Sequence, residues 1–124
     1  MPHLNLTVTK FNQRKYREAA RQAAEGLATA QGRDEAFWMG VMETCEGFIY
    51  LQNNDMLQAE RTLVSAMEKL RNFGFRYNEF EVTACLAGTR RCVEEIRATR
   101  QVEHKKFDVS LLPQMRLASK AEIA

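Results

Sequence analysis

Two prolines are all this sequence has, Pro2 and Pro113, and both lie near its ends. The long middle is therefore free of the residue that most strongly interrupts a helix. No apolar run approaches the roughly 18–20 residues that a bilayer span needs. The opening Met1-Pro2-His3-Leu4-Asn5-Leu6 has neither the basic nor the apolar segment of a secretion signal, which points to the cytoplasm. Cysteines are few: Cys45, Cys85 and Cys92 form no Cys-x-x-Cys pair, and an odd number argues against a disulfide framework. The two histidines, His3 and His104, stand at opposite ends of the chain. A closed tetrahedral metal site needs about four ligands brought together, so no metal is expected, and no cofactor. Gly26, Gly32, Gly40 and Gly47 are too scattered for a phosphate-cradling loop. The net charge of +2 is too small to argue for nucleic acid by itself.

What is present is helical periodicity. The chain has 124 residues, 45% hydrophobic and 27% charged, the composition of one ordinary globular domain. Apolar residues recur at three- and four-residue spacing almost throughout, and no useful length alternates as a strand does. A first helix over about Leu4–Gln13 carries Leu4, Val8 and Phe11 on one side, and Gln13-Arg14-Lys15 makes the turn. A second runs over about Tyr16–Ala30 with Tyr16, Ala19, Ala20, Ala23 and Leu27 inward. Gln31-Gly32-Arg33 ends it, and Asp34 is the expected N-cap of the third. The third helix has the widest apolar stripe, formed by Phe37, Trp38, Val41, Met42, Cys45, Phe48 and Ile49. It is therefore expected to be the central element, with Trp38, Val41, Cys45 and Ile49 nearly inaccessible. The aromatics Phe37, Trp38, Phe48 and Tyr50 read as core.

Asn53-Asn54-Asp55 supplies turn and cap chemistry before a fourth helix bearing Met56, Ala59, Leu63, Ala66, Met67 and Leu70. That helix stops at Phe73-Gly74, where glycine suits the position after a helix end. A long fifth helix, about Asn78–His104, is expected to bury Val82, Cys85, Leu86, Thr89, Val93 and Ile96. The chain thus divides into a helical bundle domain over 1–106 and a tail over 107–124. In the tail Phe107, Val109, Leu111 and Leu112 are suited to pack across the bundle, and the end from Ser119 frays.

Forty positions separate two similar passages, Phe11-Asn12-Gln13-Arg14-Lys15-Tyr16-Arg17-Glu18-Ala19 and Leu51-Gln52-Asn53-Asn54-Asp55-Met56-Leu57-Gln58-Ala59. Each is a helix end, a polar turn, an apolar anchor and an Ala three residues later, the cadence of a tetratricopeptide-like hairpin. Two copies fall short of the ~3 a solenoid needs. The expected fold is all-α: a single bundle of about five helices, built from two such hairpins plus the long C-terminal helix and tail.

These segments resemble the family called domain of unknown function 309, small helical proteins of bacteria and plastids. Phe11-Asn12, Tyr16 and Glu18-Ala19 match its opening, Phe37-Trp38 with Gly40 its middle, and Asn54, Ala59, Ala66 and Leu70 its later helix, over roughly residues 8–75. The family's His and second Glu fall on Ala20 and Arg21, and its Gln falls on Glu43, so the resemblance implies a divergent member that lacks the imidazole. Arg21 and Glu43 in those places suggest an ion pair replacing the family's polar pair across the second and third helices.

Candidate chemistry is correspondingly thin. Glu43 and Glu46 stand three apart, but metal sites in helical bundles pair such a Glu with a His that is missing here. Cys85 and Cys92, seven apart, share a face with Leu86, Val93 and Ile96 and read as small buried hydrophobes. Arg90, Arg91, Arg97 and Arg100 form a possible basic surface, interleaved with Glu94, Glu95 and Glu103 as on a solvated helix. The reading that fits best is a non-catalytic module that binds an unknown protein partner or itself. A first alternative is a small enzyme or ligand-binding protein with a polar pocket of Tyr16, Arg21 and Glu43. A further one is weak nucleic-acid binding through the arginines.

Overall fold

The fold is seen in a computed structural model that describes residues 2–119. It is all-α, with five helices: α1 (Pro2–Asn12), α2 (Tyr16–Thr29), α3 (Arg33–Gln52), α4 (Met56–Leu70) and α5 (Val82–Gln101). Each packs chiefly on the next in the chain, and a pairing of α1 with α5 is not among the main ones.

The forty-residue echo is realised as one turn built twice. After α1, Arg14 takes a φ of 62°, its N–H bonds Phe11 O at 2.9 Å, and Lys15 N–H bonds Lys10 O at 2.9 Å. After α3, Asn54 takes a φ of 59°, its N–H bonds Leu51 O at 3.0 Å, and Asp55 N–H bonds Tyr50 O at 2.9 Å. This left-handed reversal satisfies carbonyls that a helix end leaves open. Asn tolerates the left-handed region well and Arg does not. The turns are stitched together by Gln52, whose Nε2 donates to Arg14 O at 3.1 Å. Asp55 then caps α4, accepting from Gln58 N at 3.2 Å.

Nine residues of α3 are buried, against four to seven on the other helices, which makes α3 the centre of the array. Its approach to α4 is close: a methyl added at Gly47 would lie 2.4 Å from Leu63 Cδ2. Trp38, Val41 and Cys45 are buried as expected. Ile49 is not. It is half-buried on the shoulder of the stripe, and Tyr50 beside it is exposed, because Phe48 and Leu51 take the inward positions. Asp34 is not the N-cap either. α3 begins two residues earlier, at Arg33 behind Gly32, whose φ is 61°, and the Asp34 carboxylate accepts from the Tyr77 hydroxyl instead. Two aromatic groups fill the ends of the core, Phe37 with Trp38, Phe73, Tyr77 and Phe80 at one, and Phe11 with Tyr16 and Phe48 at the other.

The fifth helix starts later than expected. Residues 76–81 form a hairpin of two two-residue strands, β1 (Arg76–Tyr77) and β2 (Phe80–Glu81), with Arg76 opposite Glu81. Asn78 and Glu79 both have positive φ, 50° and 69°, as the tightest hairpin turn requires. Burial of Phe80 against Phe37, 5.6 Å between ring centres, holds this segment out of the helix.

The tail closes the molecule. Leaving α5, it is tied down by Glu95, which accepts from Lys105 Nζ and from Asp108 N. It crosses α5 at Gly88, where any Cβ would come within 2.7 Å of Pro113, and reaches α1. There Asn12 Nδ2 donates to Met115 O at 2.9 Å and Met115 N donates to Asn12 Oδ1 at 2.7 Å. Beyond it, Glu81 N donates to Arg116 O at 2.9 Å and Ala118 N donates to Glu79 O at 2.7 Å, so the tail adds a third edge to the hairpin. Phe107, Leu111 and Leu112 are half-buried, but Val109 is exposed, and the buried anchors are Met115 and Ala118. The expected fraying over 120–124 lies outside the described residues.

Candidate functional site

The three residues of the expected polar pocket do not converge. Tyr16, at the start of α2, is 1% exposed, its ring stacked on Phe48 at 5.4 Å and edge-on to Phe11 at 5.1 Å. Its buried hydroxyl meets no hydrogen-bond partner among the described residues, and burial pushes the phenol up to about 12. Arg21 is exposed on the outer side of α2. Glu43 turns to α4, not α2: it accepts from Lys69 Nζ at 2.9 and 3.0 Å and from Ser65 Oγ at 2.9 and 3.2 Å. The expected Arg21–Glu43 pair is thus replaced by Glu43–Lys69. The sequence carries the reason. Glu43 lies between Gly40 and Gly47, the two glycines that admit Leu70 and Leu63 of α4, so all three share the α4-facing side.

Other candidates separate in the same way. Glu46 has its carboxyl raised, by burial first and then by the Glu43 charge. Among the described residues no three His, Cys, Asp or Glu side chains are grouped to hold a metal ion. All three cysteines are free and buried, and desolvation raises every thiol: Cys92 to about 11, Cys85 to about 12 and Cys45 higher still. At neutral pH they are protonated and poor nucleophiles. Of the four arginines, Arg90, Arg97 and Arg100 fall on one side of α5 and Arg91 does not. Arg97 Nε donates to Glu60 at 2.8 Å, and Arg100 bonds the same carboxylate, holding it below its usual range chiefly through the Arg97 hydrogen bond. Arg91, nine residues before Arg100, falls on the other side of the helix at about 3.6 residues per turn and is exposed near Gly88, where the tail crosses.

What the fold does build is a groove of about 770 Å³, where the α3–α4 turn faces the end of α5 and the start of the tail. Its floor is apolar: Phe48 and Leu51 from α3, Met56 from α4, Phe107 and Leu112 from the tail. One rim carries Arg100, His104, Lys105 and Lys106, and the other carries the neutral Gln52 and Asn54. No carboxylate lines it among the described residues; Glu60 and Glu95 stand behind Arg100 and Lys105 and hold them in place. Volume and lining match those of sites that take small ligands or short peptide segments. Sequence periodicity misses this groove because its walls come from two separated stretches, 48–56 and 99–112. The one local signal is Lys105-Lys106-Phe107, cations and an aromatic where the last helix runs out.

No helix of the described residues is long and apolar enough to cross a membrane. The chain matches no family model, no curated protein and no solved structure.

Proposed function

We propose that this chain is a non-catalytic interaction module and that the groove between the α3–α4 turn and the tail is where it holds another protein. The observation that carries the reading is the apolar side of the groove, where the half-buried Met56, Phe107 and Leu112 lie over the buried Phe48 and Leu51 and are continued outward by Val109, which is 62% exposed. Apolar surface left open beside charged side chains is characteristic of contact sites. Protonated, buried thiols and the divergence of Tyr16, Arg21 and Glu43 support binding over chemistry.

The proposed kinship with the domain of unknown function 309 family fits the same reading. The matched residues have structural positions here: Phe11 and Tyr16 pack with Phe48, Asn12 clamps the tail, and Ala19 and Ala59 are buried at equivalent points after the two turns. Such a pattern preserves a scaffold.

A photo-crosslinking residue at Val109, compared with one at Glu35 at the far end of α3, tests the function in the native cell. The expected result is a discrete protein adduct from position 109 that position 35 does not give. Equal, diffuse labelling at both positions discredits the groove as an interaction site.

A further inference from the structure

We infer that the groove's partner is a short amphipathic segment of a protein that is acidic along one edge, an inference resting on the reading of the groove as an interaction site. The argument is charge complementarity over an apolar floor. The lining residues hold Arg100, Lys105, Lys106 and His104, all on the side formed by α5 and the tail, with no carboxylate among the described lining residues. An incoming segment therefore meets positive charge along one edge only. The opposite lip, Gln52 and Asn54, offers neutral hydrogen-bonding groups suited to a peptide backbone or an uncharged side chain.

Two of the cations are fixed before anything binds. Glu60 holds Arg100, and Glu95 holds Lys105; the two carboxylates are only 17% and 14% exposed. Anchored from behind, these side chains lose little freedom on meeting a second carboxylate, the condition under which interfacial charges contribute most. Lys106 forms no ion pair among the described residues and is exposed beside them. Charge of this kind sets partner choice and approach rate, while the apolar floor supplies most of the affinity.

The same features argue against other occupants. A second copy would bring an identical cationic rim. A symmetric pairing of two grooves therefore offers no carboxylate among the described lining residues to meet Lys105 and Lys106. A nucleic acid would leave Leu51, Met56 and Leu112 unused, since of the groove's two aromatics Phe48 is fully buried and only the half-buried Phe107 is left for a base to stack on. A single-chain fatty acid has the apolar body but only one carboxylate for a rim of several cations.

The experiment is selection of short random peptides from a display library on the full chain. It runs in parallel on the Lys105→Glu/Lys106→Glu variant and on Leu112→Asp, with melts confirming that each variant folds. Should Leu112→Asp fail to fold, Val109→Asp at the exposed lip takes its place. The expected result is enrichment of peptides with net negative charge and at least two large apolar residues. Charge reversal should weaken their binding about tenfold or more, and the apolar-to-Asp change should abolish it. Neutral or basic peptides that still require Leu112 or Val109 overturn the acidic partner and leave the interaction site standing. Enrichment indifferent to all the variants overturns both. Dodecanoate binding with no peptide enriched overturns the protein partner in favour of a lipid.

Discussion

Replacing Tyr16 with Phe should make this protein more stable. The ring is packed between Phe11 and Phe48, and its hydroxyl is buried with no partner among the described residues. Leaving a buried hydroxyl unpaired costs about 1–3 kcal/mol, and replacing it by an apolar group of the same shape removes that cost. Phe keeps both ring contacts, so the expected gain is about 1–2 kcal/mol. At this chain length that raises the melting temperature by about 3–8 °C. Urea titration gives the free energy, with an unchanged slope showing that the gain is in stability and not in the compactness of either state.

The alkaline limb supplies a second reading of the same perturbation. Burial raises the Tyr16 phenol from 10.0 to about 12, so the folded state favours the protonated, neutral form. Its contribution is full below pH 10 and is lost as pH rises through about 12. The Cys92 thiol behaves alike from pH 9 through about 11, and Cys85 up to about 12. Native protein and Tyr16→Phe should therefore weaken together from pH 9 to about 10, after which the variant falls less steeply. A variant that loses 1 kcal/mol or more at neutral pH would refute the reasoning, because its hydroxyl would have to be bonded.

Other perturbations follow from the packing and turns. Gly47→Ala should cost about 1–3 kcal/mol despite its better helix propensity, since the added methyl meets Leu63 at 2.4 Å; chemical denaturation measures it. Arg14→Gly should stabilise by about 0.5–1 kcal/mol, relieving a left-handed residue, and a thermal melt that moves down contradicts the turn geometry. Asn12→Ala should cost about 1–3 kcal/mol and speed amide exchange at Met115 and Ala118, leaving the centre of α3 protected. Glu43→Ala should cost about 1–2 kcal/mol and couple with Lys69→Ala in a double-mutant cycle, whereas Arg21→Ala stays within about 0.5 kcal/mol and couples with neither.

Helices and their reversals were legible because both are local. Apolar spacing marks each buried stripe, and the paired turns at Arg14 and Asn54 share a cadence that a single reading of the chain reveals. The hairpin at 76–81 was not legible, since strands of two residues are too short to alternate and Asn78 reads equally well as a helix start. Ile49 lies on the shoulder of a wide stripe whose apolar spacing does not separate shoulder from centre. The partner of Glu43 follows from Gly40 and Gly47, whose spacing of seven marks the side that α4 approaches, and not from the resemblance that placed Arg21 opposite it. The groove needs the fold itself: Leu51 is remote in sequence from Arg100 and Leu112, and all three line one groove only once the tail has turned back.

That turning back bears on how the chain is made. The main helix pairings all join neighbours in the sequence, so they are able to form in order as the chain leaves the ribosome. Asn12 is different, because its partner Met115 lies 103 positions later. Until residues 115–118 have emerged, the Asn12 amide stays open, and so does the strand edge at Glu79 and Glu81. An open strand edge is a template for another chain. The tail is thus the last piece to be synthesised among the described residues and the one that seals the nascent protein against its neighbours. A translation arrest just short of Met115 would release a chain with every helix formed and its edge still available for aggregation.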